Sequence, residues 1–167
     1  LFLGAILLIM SAGLPQRADY TGATLPDIGR VAPEIGSLAP PFAQPSLSDE
    51  TIALLDLRGE SVIINFWATW CVPCRIEMPE LQALHEEAGV RVVGVNLGEA
   101  REVVARWVDD LDLTFDIALD DMHWHVATDY RVRGYPSTFV IDSDGIITHI
   151  FYGPVTQDTL KNALNTH

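Results

Sequence analysis

Two stretches of this chain leave little choice of fold. Ser61 to Trp67 (SVIINFW) and Arg91 to Leu97 (RVVGVNL) are largely apolar and rich in β-branched residues, and each reads as a strand buried on both faces. A helical pattern follows each one. Met78, Leu81 and Leu84 recur at helical spacing between Cys71 and His85, and Gly89 supplies the stop. Between Glu99 and Leu111 the stripe is Val103, Val104, Trp107, Val108 and Leu111. A β-α-β-α succession implies a largely parallel sheet covered by helices, with right-handed crossovers.

Further along, Phe115 to Leu119 predicts another strand and His123 to Tyr130 a short helix. Ser137 to Ile141 (STFVI) and Ile146 to Phe151 (IITHIF) flank Asp142-Ser143-Asp144-Gly145, a hairpin signal that makes the sheet mixed. A last helix is expected over Val155 to Asn165. Upstream, two short apolar stretches between Phe42 and Leu57 flank Ser48-Asp49-Glu50 and predict a small β-hairpin. The expected architecture is α/β: a central mixed sheet flanked by helices, with an N-terminal β-hairpin extension.

A length of 167 residues with 49% apolar composition suits one domain with a full core. Leu1 to Leu14 (LFLGAILLIMSAGL) is uncharged and shorter than the roughly 20 residues that span a bilayer. With no initiating Met ahead of it, it fits the remainder of an N-terminal signal or membrane anchor. Residues 1–14 are thus expected to be that segment, 15–36 a flexible linker and 37–167 the folded domain. Any membrane contact is expected through the N-terminal segment alone. The formal charge of -13, with ten scattered basic residues against 23 acidic ones, repels phosphate backbones and excludes nucleic acid as a partner.

The chain has two cysteines, three positions apart in Trp70-Cys71-Val72-Pro73-Cys74, which excludes a disulfide-stapled miniature fold. The pair falls at the junction of the strand ending near Trp67 and the helix that follows. Free N–H groups and the positive end of the helix dipole there favour a thiolate, which makes Cys71 the expected nucleophile. Cys74, one turn inside the helix, suits the resolving role. Val72 and Pro73 put no charge between the sulfurs. Half of a zinc site is the alternative, but no second Cys pair exists and His85, His123, His125, His149 and His167 lack the accompanying spacing. Neither a metal nor a cofactor is expected.

The stretch from Asn65 to Pro79 (NFWATWCVPCRIEMP) resembles the TlpA/ResA group of the thioredoxin superfamily. The resemblance extends upstream to Gly36-Ser37-Leu38-Ala39-Pro40-Pro41-Phe42 and downstream from Tyr130 to Gly145 (YRVRGYPSTFVIDSDG). It implies a thioredoxin-like fold and an extracytoplasmic, membrane-anchored or periplasmic protein that exchanges disulfides with protein thiols. Cytochromes and oxidases are the implied clients, in their maturation, and a membrane redox partner would recycle the pair. The resemblance also implies that Pro136 is a cis-proline facing the sulfurs; by pattern alone an ordinary trans-proline at a strand start would be preferred. Tyr135 would then offer its backbone to an extended client peptide.

Glu77 lies three residues after Cys74, so a continuous helix sets it on nearly the same side as the sulfurs. Asn65 cannot take up a proton, so a base role falls to Glu77; the alternative is a solvated surface carboxylate. Pro79 is expected to kink the helix and turn Glu77 inward. Trp70 and Tyr135 are expected to frame the sulfurs, with Trp67 in the core. His123 and His125, two apart on one helix, should face different ways. Two other functions compete. A peroxiredoxin-like peroxidase shares the Gly36 to Phe42 opening but wants a different sequence before its cysteine. A copper-binding module of the same fold wants Cys-x3-Cys. The favoured direction is reduction of client disulfides.

Overall fold

The computed structural model describes residues 29–165. A hairpin of β1 (Ala43–Pro45) and β2 (Thr51–Ala53) leads through a 3-10 turn at Leu54–Leu57 to β3 (Val62–Trp67) and α1 (Val72–Ala88). Then come β4 (Arg91–Asn96), α2 (Arg101–Asp110), β5 (Asp116–Leu119) and α3 (His125–Asp129). The chain closes with β6 (Ser137–Ile141), β7 (Ile147–Tyr152) and α4 (Gln157–Leu164).

The five-stranded sheet has the order β5-β4-β3-β6-β7. Parallel pairing joins β3 to β4 and β4 to β5, while β6 runs antiparallel to β3 and β7 to β6. The two expected buried strands are therefore the centre of the sheet, and all six residues of β3 are inaccessible. Phe66, Tyr130 and Phe139 pack ring to ring at 5.0–5.7 Å on its β6 side. Trp67 stacks on Trp107 of α2 at 4.5 Å, which confirms it as a core residue. The phenol of Tyr130 donates to the Pro40 carbonyl at 3.0 Å, and burial pushes its pKa up.

Both outer strands are partly covered, as edge strands in monomeric sheets commonly are. The β1–β2 hairpin reaches β5 through a Ser46–Ala118 bridge and a Leu47 N–H bond to the Ile117 carbonyl. On the other side Gly36 and Ser37 exchange backbone bonds with Ile147, and Leu38 bridges Ile146. Residues 29–36 consequently pack on the domain: Ala32 is buried, and Glu34 pairs with Arg30 and Arg131. The segment expected to be a loose linker is thus held at its C-terminal end, while residues 1–28 lie outside the described part.

Element ends shift by one to three residues for identifiable reasons. Helix α1 continues through Pro79 to a left-handed Gly89, and α4 begins only after the Thr156 hydroxyl accepts the Thr159 N–H. A larger correction concerns His123 and His125. The Asp120 carboxylate caps the N–H groups of Val126 and Ala127, so α3 begins at His125 and not His123. Trp124 adopts left-handed backbone at φ 54°, and the two imidazoles stack at 5.7 Å where a continuous helix would have parted them. His125 also bonds the Asp121 carboxylate.

At Gly94 on β4, a Cβ would approach Trp67 Nε1 to 2.9 Å and meet Ile117 and Phe115 at 3.1 Å. Those neighbours are core, so they have little room to yield. Gly94→Ala is expected to lower the unfolding free energy by about 2 kcal/mol, read from urea denaturation at constant m-value.

Candidate active site

Because β3 is parallel to β4 and central, its C-terminal end opens at the edge of the sheet where α1 begins, and the chain turns there through Ala68, Thr69 and Trp70. Cys71 is the N-cap of α1. Its backbone is extended, and its sulfur accepts the Cys74 N–H at 3.2 Å. One of the free donors of the helix end is thereby aimed at sulfur, the arrangement that stabilises a thiolate once the pair is reduced. Cys71 and Cys74 are joined in a disulfide. Cys71 retains 5% exposure while Cys74 has none, so an incoming sulfur meets Cys71 first.

The other expected site residues form a rim. Trp70 and Val72 are 66% and 73% exposed, and Pro73 is exposed beside them. Trp70 meets Tyr135 edge to face at 5.8 Å, so the loop before β6 stands against the loop before α1. The Tyr135–Pro136 bond is cis, as the family resemblance implied and the local pattern did not. Phe66 pairs with Ser137, which sets Pro136 level with the end of β3. Burial, and then the Asp120 carboxylate, raise the Tyr135 phenol pKa.

Glu77 is not a surface carboxylate: it is fully buried. Its Oε2 accepts from Asn65 Nδ2 at 2.8 Å, and its Oε1 accepts from Thr138 Oγ1 and the Val155 N–H, each at 3.2 Å. Burial raises its pKa from 4.5 to about 7, against the lowering effect of those three donors. Three elements from distant parts of the chain converge on one carboxyl one helical turn behind Cys74.

Sequence reasoning singled out Asn65 and Glu77 but missed Thr138, Val155 and Glu99. The Glu99 carboxylate accepts the Thr69 N–H at 2.8 Å, the Thr69 hydroxyl at 2.6 Å and Asn96 Nδ2 at 2.8 Å. It ties the turn after β4 to the loop that carries Trp70 and Cys71. The only available signal was polarity directly after a buried strand, which is common at strand ends. Among the described residues no cluster of three or more His, Cys, Asp or Glu side chains is arranged to hold a metal.

A helix-capping cysteine joined to a buried partner and bordered by a cis-proline loop is equipped for disulfide exchange, and places the molecule among the thioredoxin-fold oxidoreductases. The AhpC/TSA family model matches residues 35–150. The thioredoxin-like protein YneN of Bacillus subtilis is 37% identical over 169 residues, covering 98% of this chain and 96% of the relative. The thiol-disulfide oxidoreductase ResA of Geobacillus kaustophilus is 35% identical over 165 residues, covering 97% of this chain and 92% of the relative. Among solved structures, a putative thiol:disulfide interchange protein DsbE from Chlorobium tepidum superposes with a TM-score of 0.69 at 30% identity, over 78% of this chain and 94% of that one. StoA from Bacillus subtilis gives 0.65 at 28% identity, over 74% and 96%. The chain belongs to the AhpC/TSA family, and it is a thiol-disulfide oxidoreductase related to ResA.

The buried carboxyl has a measurable consequence. A carboxyl with a raised folded-state pKa binds its proton more tightly when folded, so stability falls as pH rises from the unfolded value of 4.5 through about 7. In Glu77→Gln this loss is absent. The stability of the variant relative to the parent should therefore rise by on the order of 3 kcal/mol between pH 4 and pH 8, followed by denaturant titration of the oxidised proteins.

Proposed function

We propose that this oxidoreductase reduces disulfides of protein clients outside the cytoplasm, with Cys71 as the attacking thiol, Cys74 as the resolving thiol and Glu77 as the group that moves the proton. The observation that carries this reading is the Cys71–Cys74 pair at the start of α1 with a buried carboxyl of near-neutral pKa one turn behind it.

In the first step the Cys71 thiolate attacks one sulfur of the client disulfide. A Cys71–client bond forms, the client S–S bond breaks, and the second client sulfur leaves as a thiolate. Cys74 then gives its proton to Glu77 and attacks the Cys71 sulfur. The mixed disulfide breaks and the remaining client sulfur leaves. Two electrons have passed to the client, the pair is oxidised, and Glu77 returns its proton to a leaving thiolate. A carboxyl that titrates near the working pH accepts and releases a proton with similar ease.

Trp70, Val72 and Pro73 offer the client an apolar rim, and the Tyr135 backbone beside cis-Pro136 offers an edge for an extended client segment. A membrane redox partner regenerates the dithiol. Residues 1–14 anchor or export the domain, which works in the periplasm or on the outer face of the membrane, in cytochrome c or oxidase maturation. Support for this location comes from the apolar run at 1–14 and from the extracytoplasmic character of the TlpA/ResA group; no helix among the described residues is long and apolar enough to cross a membrane.

Iodoacetamide at mildly acidic pH should label Cys71 before Cys74 in the reduced protein, as mapped by peptide mass spectrometry. Cys74→Ser should trap a mixed disulfide through Cys71. Labelling of Cys74 first reverses the two roles. The reduction potential should lie near the thioredoxin value of roughly -270 mV, whereas a value near -120 mV would mark an oxidant. Glu77→Gln should lower the apparent thiol pKa, because a neighbouring negative charge is gone, and should slow disulfide reduction at neutral pH.

A further inference from the structure

One loop at the active-site end of the sheet has no part in the chemistry described above. Trp67, Asn96 and Leu119 stand level with one another in β3, β4 and β5, so the chain leaving each strand emerges at the same end. The loop after β3 leads to Cys71, and the loop after β4 is bonded to it through Glu99 and Thr69. The loop after β5, residues 120–124, lies directly against the loop after β4. A Cβ at Gly98 would approach the Asp121 carbonyl to 2.6 Å and Trp124 Nε1 to 3.1 Å, and Gly98 has φ 64°, so only glycine allows this contact.

The loop after β5 is braced at both ends. Asp120 caps the Val126 and Ala127 N–H groups, and the Asp121 carboxylate accepts the His123 N–H at 2.7 Å and bonds the His125 imidazole. Between these anchors Trp124 takes left-handed backbone at φ 54°, a conformation that is costly for a bulky residue and concentrated at functional positions. The ring held in this way is not core. Trp124 is 51% exposed and Met122 is 81% exposed, so packing inside the fold does not account for their position. Trp70 and Val72, also exposed, stand on the neighbouring loop and at the start of α1. Tyr135 meets Trp70 edge to face, and its phenol pKa is raised by burial and then by Asp120, which sets the loop after β5 near that side as well. The exposed apolar side chains thus continue from the sulfur pair across the end of β4.

We propose that Trp124 and Met122 form a second docking contact for the client whose cysteine is bonded to Cys71, and that they select clients with an apolar side chain near that cysteine. The inference rests on the reading of the protein as a reductant of protein disulfides and adds which clients the site prefers. The occupant follows from continuity, since the patch adjoins the one sulfur that a client must cover during exchange. Neighbouring strands lie about 4.8 Å apart and an extended chain advances about 3.3 Å per residue. A client segment that starts at Cys71, beyond β3, and crosses to the Trp124 ring, beyond β4, brings over that ring a side chain roughly two to four positions from its cysteine. Trp124 is the kind of residue that anchors such contacts, a large ring on a backbone already fixed before the client arrives.

The test uses the reduced full chain and two synthetic peptide disulfides, identical except that those positions hold leucine in one and serine in the other. Bis(2-hydroxyethyl) disulfide, too small to touch Trp124 while bonded to Cys71, is the third substrate. The parent should reduce the leucine peptide with a kcat/KM about tenfold above that of the serine peptide. Trp124→Ala should abolish that preference through KM while leaving the rate with the small disulfide and the reduction potential unchanged. Trp124→Phe should restore most of the preference, and Met122→Ser should lower it about threefold. Equal parent rates on the two peptides overturn the inference, as does a Trp124→Ala loss that is the same for the small disulfide, which marks a structural role. If Trp124→Ala does not fold, Met122→Ser decides, because that side chain is too exposed to matter for folding. A concentration-dependent dimer in sedimentation, lost in Met122→Ser, assigns the face to a second copy of the chain and also overturns the inference. A reduced parent that reduces none of the three disulfides removes the reductant reading itself. The same peptides as dithiols, oxidised by the disulfide form of the protein, then test the Trp124 contact separately.

Discussion

The complete burial of β3 is the constraint on which the rest of the structure depends. Six consecutive residues, Val62 to Trp67, have no access to solvent, and one of them, Asn65, is polar. A buried amide must find its partners inside the protein. It finds Thr138 across the antiparallel pair with β6 and Glu77 on the helix above. Burying a carboxyl is costly unless it is hydrogen-bonded or neutral, and Glu77 is close to both conditions: three donors hold it and burial raises its pKa to about 7. The packing of the sheet and the raised pKa of the Glu77 carboxyl are thus one arrangement.

The same strand delivers the sulfurs. Where β3 ends, the backbone turns into α1, and the first free N–H groups of the helix lie beside Cys71. Two neighbours hold this turn from the sides. Glu99 grips Thr69 through both its N–H and its hydroxyl, and Tyr135 meets the Trp70 ring. The charge-assisted bonds to Glu99 are among the stronger kind available to a partly exposed loop. The apolar rim is consequently carried on a fixed backbone, so a client does not have to order the loop when it docks.

The chemistry is divided by depth. Cys71 keeps a sliver of exposure, Cys74 and Glu77 keep none, and the residues between the sulfurs face outward. An external disulfide can reach the first sulfur, whereas the second sulfur and the carboxyl are shielded from bulk water. Shielding is also what lets desolvation act on the carboxyl at all, since an exposed glutamate would keep its ordinary acidity.

Much of this was legible in the sequence because it depends on local pattern. The two apolar runs, the helix stripes, the Gly89 stop and the Asp142 to Gly145 turn each report backbone preference or burial over a few neighbours, and they place β3, β4, β6, β7 and α1. Cys71, Cys74 and Glu77 share a helix, so their common side followed from helical periodicity. What escaped was whatever required contact between distant segments. Thr138 and Val155 lie 61 and 78 positions from Glu77, and nothing near them in the chain marks them as its donors. The His123–His125 stack arose because Asp120 caps α3 and Trp124 takes a left-handed backbone, an outcome set by competition for N–H groups. The sequence by itself determined the order of strands and helices and the position of the sulfur pair, because both follow from short-range periodicity. Only the tertiary structure decided that Glu77 is buried and held by three donors, because desolvation depends on which remote surfaces close over a side chain.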